Sequence, residues 1–278
     1  MDLARTWPIL RRAAVKFYED QMTQHAGALT YYALMSLFPA LLLGLSLLGL
    51  LGEYPRTYDS IIAYVRQVAP DFAVATIDQS LRHALENKDK AATALVLSIA
   101  VALYGTTGVL EATRRALNVV FEVERGRGFL HRKALDIAST FALMTLVLVA
   151  LMLVFVGGRF ADDLLGFAGL GEDGARAWSL LRWPTAVLLV MLVFAWLYHV
   201  TPDVPRRFRW VTPGTVVGVL GWIGVSFAFS QYLSHFTSVS AVYGAFAGII
   251  VLVGWLWLTA VALLFGAEID AAAEKDAG

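Results

Sequence analysis

Apolar residues in this chain fall into six long runs, and charged residues gather in the connectors between them. The runs cover about 27–51, 91–110, 137–156, 183–200, 211–232 and 241–267. The stretches from Ala26 to Gly52 and from Phe236 to Ala267 contain no Asp, Glu, Lys or Arg. About twenty such residues carry a helix through a hydrocarbon core, and a run with no polar face has nothing to offer water. The pattern predicts an all-α, polytopic membrane protein with six transmembrane helices and short amphipathic helices at the surface.

Two segments show helical spacing without the length to span. Residues 5–22 place Ile9, Leu10, Ala13, Ala14, Phe17 and Met22 on one face and Arg5, Arg12, Lys16 and Glu19 mostly elsewhere. That predicts an amphipathic helix on the membrane surface, with Thr6 as cap and Pro8 in its first turn. Connector 53–90 carries two further faces, Ile61, Ile62, Val65 and Val68, then Val74, Ile77, Leu81 and Leu85, separated by Pro70. The spans use up the length, so residues 1–278 read as one integral membrane domain.

Orientation follows from Lys and Arg counts on alternate sides. The N-terminal segment, connectors 111–136 and 203–209 and the last residues hold 14, against 8 on the other side. Both termini are therefore expected in the cytoplasm. Residues 1–25 become a cytoplasmic amphipathic segment, 53–90 a periplasmic helical connector and 268–278 a cytoplasmic tail.

Composition narrows the chemistry. Apolar residues make up 58% of the chain and charged ones 16%, against roughly 25% charged in a soluble domain. Lys plus Arg and Asp plus Glu balance at 22 each, which gives no footprint for nucleic acid. No cysteine is present, so thiolate metal sites, disulfides and Cys nucleophiles are excluded. His25, His83, His131, His199 and His235 stand far apart with no metal-ligand spacing. Neither a GxxxxGK[ST] phosphate loop nor a GxSxG elbow occurs. The residues predict no cofactor, no metal and no enzymatic step.

Polar groups inside the spans are the candidates for function, because they are costly in lipid. Thr30, Tyr31, Tyr32 and Ser36 precede Pro39 in the first span; they read either as an opened backbone facing a cavity or as helix packing. Tyr104 belongs with them. Glu111 stands one turn before Arg114 and Arg115, so it can pair on a helix face, as an inner-mouth group or a plain surface ion pair. Gln231, Tyr232, His235 and Tyr243 gather around the last outer turn, as a gate or an interfacial turn. Gly214 and Gly218, and Gly244 and Gly248, are four apart, which lets helix backbones approach. Glu268 and Asp270 follow the sixth span, where a helix C-terminus disfavours carboxylates. They are expected to pair with Arg206, Arg207 or Arg209, or with connector 111–136. Basic inner connectors suit anionic lipid headgroups.

The chain resembles the YihY/BrkB family of bacterial inner-membrane proteins, formerly labelled ribonuclease BN. The likeness is carried by AGALTYYALMSLFPALL at 26–42, RRALNVVFEVER at 114–125, PD at 202–203, RWVTPG at 209–214, FSQYL at 229–233, VYGAFAG at 242–248 and GAEIDA at 266–271. The family usually has Asn where this chain has Asp270. The resemblance implies an inner-membrane location and an envelope role, with movement of lipid or lipid-linked material among its proposals. Residues and resemblance together favour a translocator or transport component for a lipid or other amphipathic envelope molecule. A membrane scaffold is the alternative, and a tRNA-processing ribonuclease the less favoured one. Expected partners are membrane lipids, anionic headgroups at the cytoplasmic face included, with a second copy or envelope proteins besides.

Overall fold

The computed structural model describes residues 3–51, 59, 62–63, 78, 107–124, 126–155, 171–204, 208–236 and 240–277. Among the described residues the chain is all-helical. Its elements are α1 (Leu3–Glu19), α2 (Met22–Leu51), α3 (107–120), α4 (Phe129–Phe155), α5 (Gly171–Val200), α6 (Pro213–Phe236) and α7 (Ser240–Ala277). Of these, α5, α6 and α7 contain stretches long and apolar enough to cross a membrane. Much of connector 53–90 lies outside the described residues.

The chain divides into two compact units. The first comprises residues 1–29, 110–235 and 255–278, the second 30–109 and 236–254. In the first unit, the buried apolar residues collect where helices begin or end. Met22, Ala26 and Leu29 of α2, Ala112, Ala116, Leu117 and Val120 of α3, Phe194 and Tyr198 of α5, Val219 of α6, and Ala260, Leu263, Leu264, Ala267 and Ala271 of α7 form one cluster. α4 packs along α5. In the second unit, Thr30, Ile62 and Thr107 are buried, and the rings of Tyr31 and Tyr32 meet edge to face with centroids 5.4 Å apart.

Ile9, Leu10 and Ala13 of α1 pack on Ile269, Ala272, Phe265 and Val217 of α7 and α6, and Phe17 meets Phe265 edge to face at 5.8 Å. This part of its apolar face is thus covered by protein, while Ala14, Trp7 and Tyr18 are exposed. It also starts at Leu3, so Thr6 does not cap it and Pro8 lies inside it.

Among the described residues two non-glycines adopt left-handed backbone, Gln21 at φ 53° and Glu122 at φ 50°. Each terminates a helix. After α3, Glu122 N–H donates to Val119 O at 3.1 Å and Val123 N–H to Asn118 O at 2.9 Å, the paired bonds that close a helix whose last residue turns left-handed.

α7 continues about three turns beyond the predicted end of the sixth span, to Ala277. Glu268 and Asp270 therefore lie within a helix, not at its C-terminus, and the penalty expected for carboxylates there does not arise. Its two tryptophans also find partners: Trp255 Nε1 donates to Ser226 Oγ at 3.2 Å and Trp257 Nε1 to Thr23 O at 3.4 Å. A ring otherwise apolar thus satisfies its one donor.

Candidate functional site: the polar end of the helices

Beyond the apolar cluster of the first unit, charged and hydroxyl side chains are buried together. The first group centres on Arg114, in the middle of α3. Its guanidinium pairs with Asp136 of α4, stands 3.8 Å from Asp203 Oδ1 and donates through Nε to Thr201 O at 3.3 Å. Arg114, Asp136 and Asp203 are all buried. Asn118, one turn further along α3, donates to Asp203 Oδ2 at 3.1 Å and accepts from Asp203 N–H at 2.9 Å. Arg127 donates to Val200 O at 3.2 Å and Val204 O at 3.4 Å. Three donors thus reach the carbonyls at and just after the end of α5, where a helix has unsatisfied acceptors and negative potential. Pro202 follows the helix end, and Asp203 ties the chain back onto α3 through Arg114 and Asn118.

The second group sets the start of α6, and every backbone donor of its first turn is accounted for. Thr212 is the cap; Pro213 has no N–H to satisfy. Gly214 N–H donates to Asp270 Oδ1 at 2.7 Å. Thr215 N–H donates to Thr212 Oγ1 at 3.1 Å, and Thr212 N–H returns to Thr215 Oγ1 at 2.8 Å, a reciprocal box with Thr in the usual Glu position. Val216 N–H reaches Thr212 O at 3.1 Å. Thr212 Oγ1 also contacts Asp270 Oδ2 at 2.7 Å. Asp270 therefore presents its charge from within α7 to the positive N-terminal end of α6. The Gly214 N–H and the Thr212 hydroxyl thus hold Asp270; of the arginines expected beside it, Arg206 and Arg207 lie outside the described residues.

Close backbone approach makes that contact possible. A Cβ on Gly214 would overlap Gly266 O and come 2.5 Å from Asp270 Cγ. A Cβ on Gly218 would lie 2.9 Å from Tyr198 Oη and 3.1 Å from Phe194 Cδ1. Tyr198 Oη donates to Leu263 O at 2.6 Å. The spacing of Gly214 and Gly218 marked this contact in the sequence. Its counterpart Gly266 was missed as a packing residue, although it opens the GAEIDA segment.

Glu268 forms a third feature. It is 2% exposed and its Oε1 has no hydrogen-bond partner. It lines a cavity of about 50 Å3 with Arg12, Lys16, Val120, Glu122, Ala271, Ala272 and Lys275. A second cavity, of about 310 Å3, shares Val120, Ala271 and Lys275 with the first. Lys275 pairs with Glu122 at 2.7 Å and Arg12 with Asp276 at 2.7 Å. Lys16 stands 3.8–4.0 Å from Glu19, Asp20 and Glu122. The hydrogen bond from Lys275 holds the Glu122 carboxyl below its ordinary range. Among the described residues Glu268 forms no ion pair and faces cations across a cavity; its expected partners Arg206 and Arg207 lie outside them.

The other predicted residues are dispersed. Glu111 pairs with Arg115 on the surface, and that bond holds its carboxyl below the usual range. Tyr31 and Tyr32 are 59% and 41% exposed, and Tyr232 is exposed too. The Tyr32 ring lies against Gly108, whose Cβ would come 2.8 Å from its Cδ1. Ser36 Oγ donates to Ala33 O at 2.8 Å. None of these lines either of the two cavities. α2 runs through Pro39 to Leu51, and Tyr243 falls within α7. Tyr104 and Arg207 lie outside the described residues.

Long apolar helices whose ionisable residues are buried at their ends define a helical membrane protein. Residues 13–278 match the family model described as virulence factor BrkB, and the chain belongs to that family. It is 34% identical over 264 residues to the ribonuclease-like protein YfkH of Bacillus subtilis (strain 168), covering 92% of this chain and 93% of that one. It is 28% identical over 265 residues to a UPF0761 membrane protein of Nitrosospira multiformis, covering 92% of this chain and 58% of the relative. A UPF0761 membrane protein of Pseudoalteromonas translucida is 26% identical over 258 residues, covering 91% and 81%. No solved structure matches the chain.

Proposed function

We propose that this chain crosses the bacterial inner membrane six times, with both termini in the cytoplasm, and acts as a translocator or transport component for a lipid or other amphipathic envelope molecule. One apolar cluster supports the crossing number. The start of α2, α3 from Ala112 to Val120, the end of α5, the start of α6 and the second half of α7 all meet there, and the pair of Arg114 with Asp136 ties the first third of α4 to α3. In this reading the chain departs from the cluster and comes back to it three times, and the three hairpins so proposed make six spans. Lys and Arg concentrate on the segments at this end, which supports the cytoplasmic side for it.

The observation that carries the transport reading is the burial of Arg114, Asp136, Asp203, Glu268 and Asp270 where the spans end. A passive anchor has no need of buried ionisable groups, which are costly in a membrane protein and mark pathways and relays. In this reading the Arg114 network closes the cytoplasmic mouth, and anionic headgroups meet the basic residues around it. No enzymatic step and no nucleic acid enter. The scaffold reading is favoured by the close filling of that same end, where α6 and α7 touch backbone to backbone.

The test is movement of a labelled phospholipid between leaflets of liposomes holding the purified protein. Wild type is expected to accelerate it, and Tyr32→Ala, inserted normally, to slow it severalfold. Protein-free rates for wild type refute the transport reading and leave the scaffold. Unchanged rates for Tyr32→Ala remove that residue from the path. The same preparation is expected to leave RNA intact across several divalent metals.

A further inference from the structure

We propose that Glu268 is a proton-binding site, loaded and unloaded through the water-sized cavity between α1, α3 and α7. The argument starts from what surrounds the carboxyl. Glu268 is 2% exposed, and its Oε1 meets no donor. No ion pair to it forms among the described residues, although three cations line the same cavity. Burying an ionised carboxylate without a counter-ion or donor costs far more than burying the neutral acid. The least costly occupant of that position is the acid, whose proton donates to water in the cavity.

The cavity has room for such water. Its volume of about 50 Å3 exceeds the roughly 10–15 Å3 that one water needs. The larger cavity beside it, lined by Phe121, Val204, Glu274 and the shared Val120, Ala271 and Lys275, gives a proton a polar way out.

Charged neighbours come from every element that packs there. α1 supplies Arg12 and Lys16, the turn after it Asp20, the turn after α3 Glu122, and α7 itself Lys275. Arg12 and Lys275 are held by Asp276 and Glu122 at 2.7 Å. Lys16 is held by none closely, at 3.8–4.0 Å from three carboxylates. Loss of the proton leaves a carboxylate facing Lys16, the cation freest to turn toward it. The proton thus sets the contact between α1 and α7, in whatever the protein moves or holds.

The test is infrared spectroscopy of the full chain in detergent micelles at neutral pH. A carboxylic-acid C=O band is expected in wild type, lost in Glu268→Gln and kept in Glu274→Gln. Thermal stability supplies a second readout. The folded chain holds a proton that the unfolded chain releases, so wild type is expected to lose stability as pH rises from mildly acidic to mildly alkaline, more steeply than Glu268→Gln. Identical spectra for wild type and Glu268→Gln, with parallel stability profiles, overturn the proposal. If Glu268→Gln does not fold, wild-type protein labelled with 13C at the glutamate carboxyls decides it. One resonance staying at the acid position through neutral pH is expected; titration of all of them in the ordinary carboxylate range refutes it. None of these readouts depends on lipid movement, so failure here and failure of the transport reading are separate results.

Discussion

Arg114→Ala is expected to be among the most destabilising single changes in the first unit, at about 3–5 kcal/mol. The side chain serves two buried carboxylates and a backbone carbonyl at once. Truncation leaves Asp136 and Asp203 buried with no cation between them and removes a donor from Thr201 O at the end of α5. Asp136→Ala is expected to cost less. Arg114 then still faces Asp203 at 3.8 Å, and Asp203 keeps both of its hydrogen bonds with Asn118. Arg114→Lys is expected to fall between wild type and Arg114→Ala, because an ammonium has the charge but not the planar fork that reaches three partners. Thermal unfolding of the purified variants in detergent reads the order. An Asp136→Ala variant less stable than Arg114→Ala, or an Arg114→Ala variant indistinguishable from wild type, shows that Arg114 does not hold this end together.

The helical class could be read from the runs alone, because a stretch without polar residues over a full span length has few other destinations. The start of α6 was nearly as legible. Thr212, Pro213 and Thr215 are local signals, and Gly214 with Gly218 announced a close helix contact. The partner in that contact could not be read. Asp270 and Gly266 lie more than fifty positions away, and nothing in a linear pattern says which helix end a carboxylate will face. The fault lay in one premise, that the helix stops with its apolar run at Ala267. Ala271, Ala272 and Ala273 are strong helix formers and carry α7 onward, so two carboxylates expected at a frayed end are packed inside. Arg114 was named with Glu111 as its partner, whereas Asp136 and Asp203 stand against it, since burial chooses among several charges of suitable sign. The tyrosines of α2 were chosen by depth and polarity, which do not say whether a side chain points at a neighbour or away. Trp255 and Trp257 show the converse. Their place in the last span had no rationale in sequence, and each turned out to need a hydrogen-bond acceptor on another helix.

The second large effect is expected at Gly214, where a single methyl group separates packed from unpacked. In Gly214→Ala the new Cβ meets Gly266 O, a backbone atom of α7 that cannot turn aside, and lies 2.5 Å from Asp270 Cγ. Relief requires α6 and α7 to part. Parting draws Asp270 away from Gly214 N–H and Thr212, so overpacking of about 1–3 kcal/mol is joined by loss of a cap worth about 1 kcal/mol. Gly218→Ala is expected to cost less. Its Cβ meets the Tyr198 hydroxyl at 2.9 Å and the Phe194 ring at 3.1 Å, and side chains can shift where a carbonyl cannot. Gly224→Ala, on the same helix with nothing within 4 Å of the added atom, is expected to be neutral or to stabilise by up to about 1 kcal/mol, the propensity gap between the two residues. The same methyl therefore destabilises strongly, moderately or not at all along three positions of one helix, in an order set by what stands opposite. Equal unfolding midpoints for the three variants would mean that α6 and α7 do not approach at Gly214 as closely as the structure has them, and the Asp270 cap would fall with that approach.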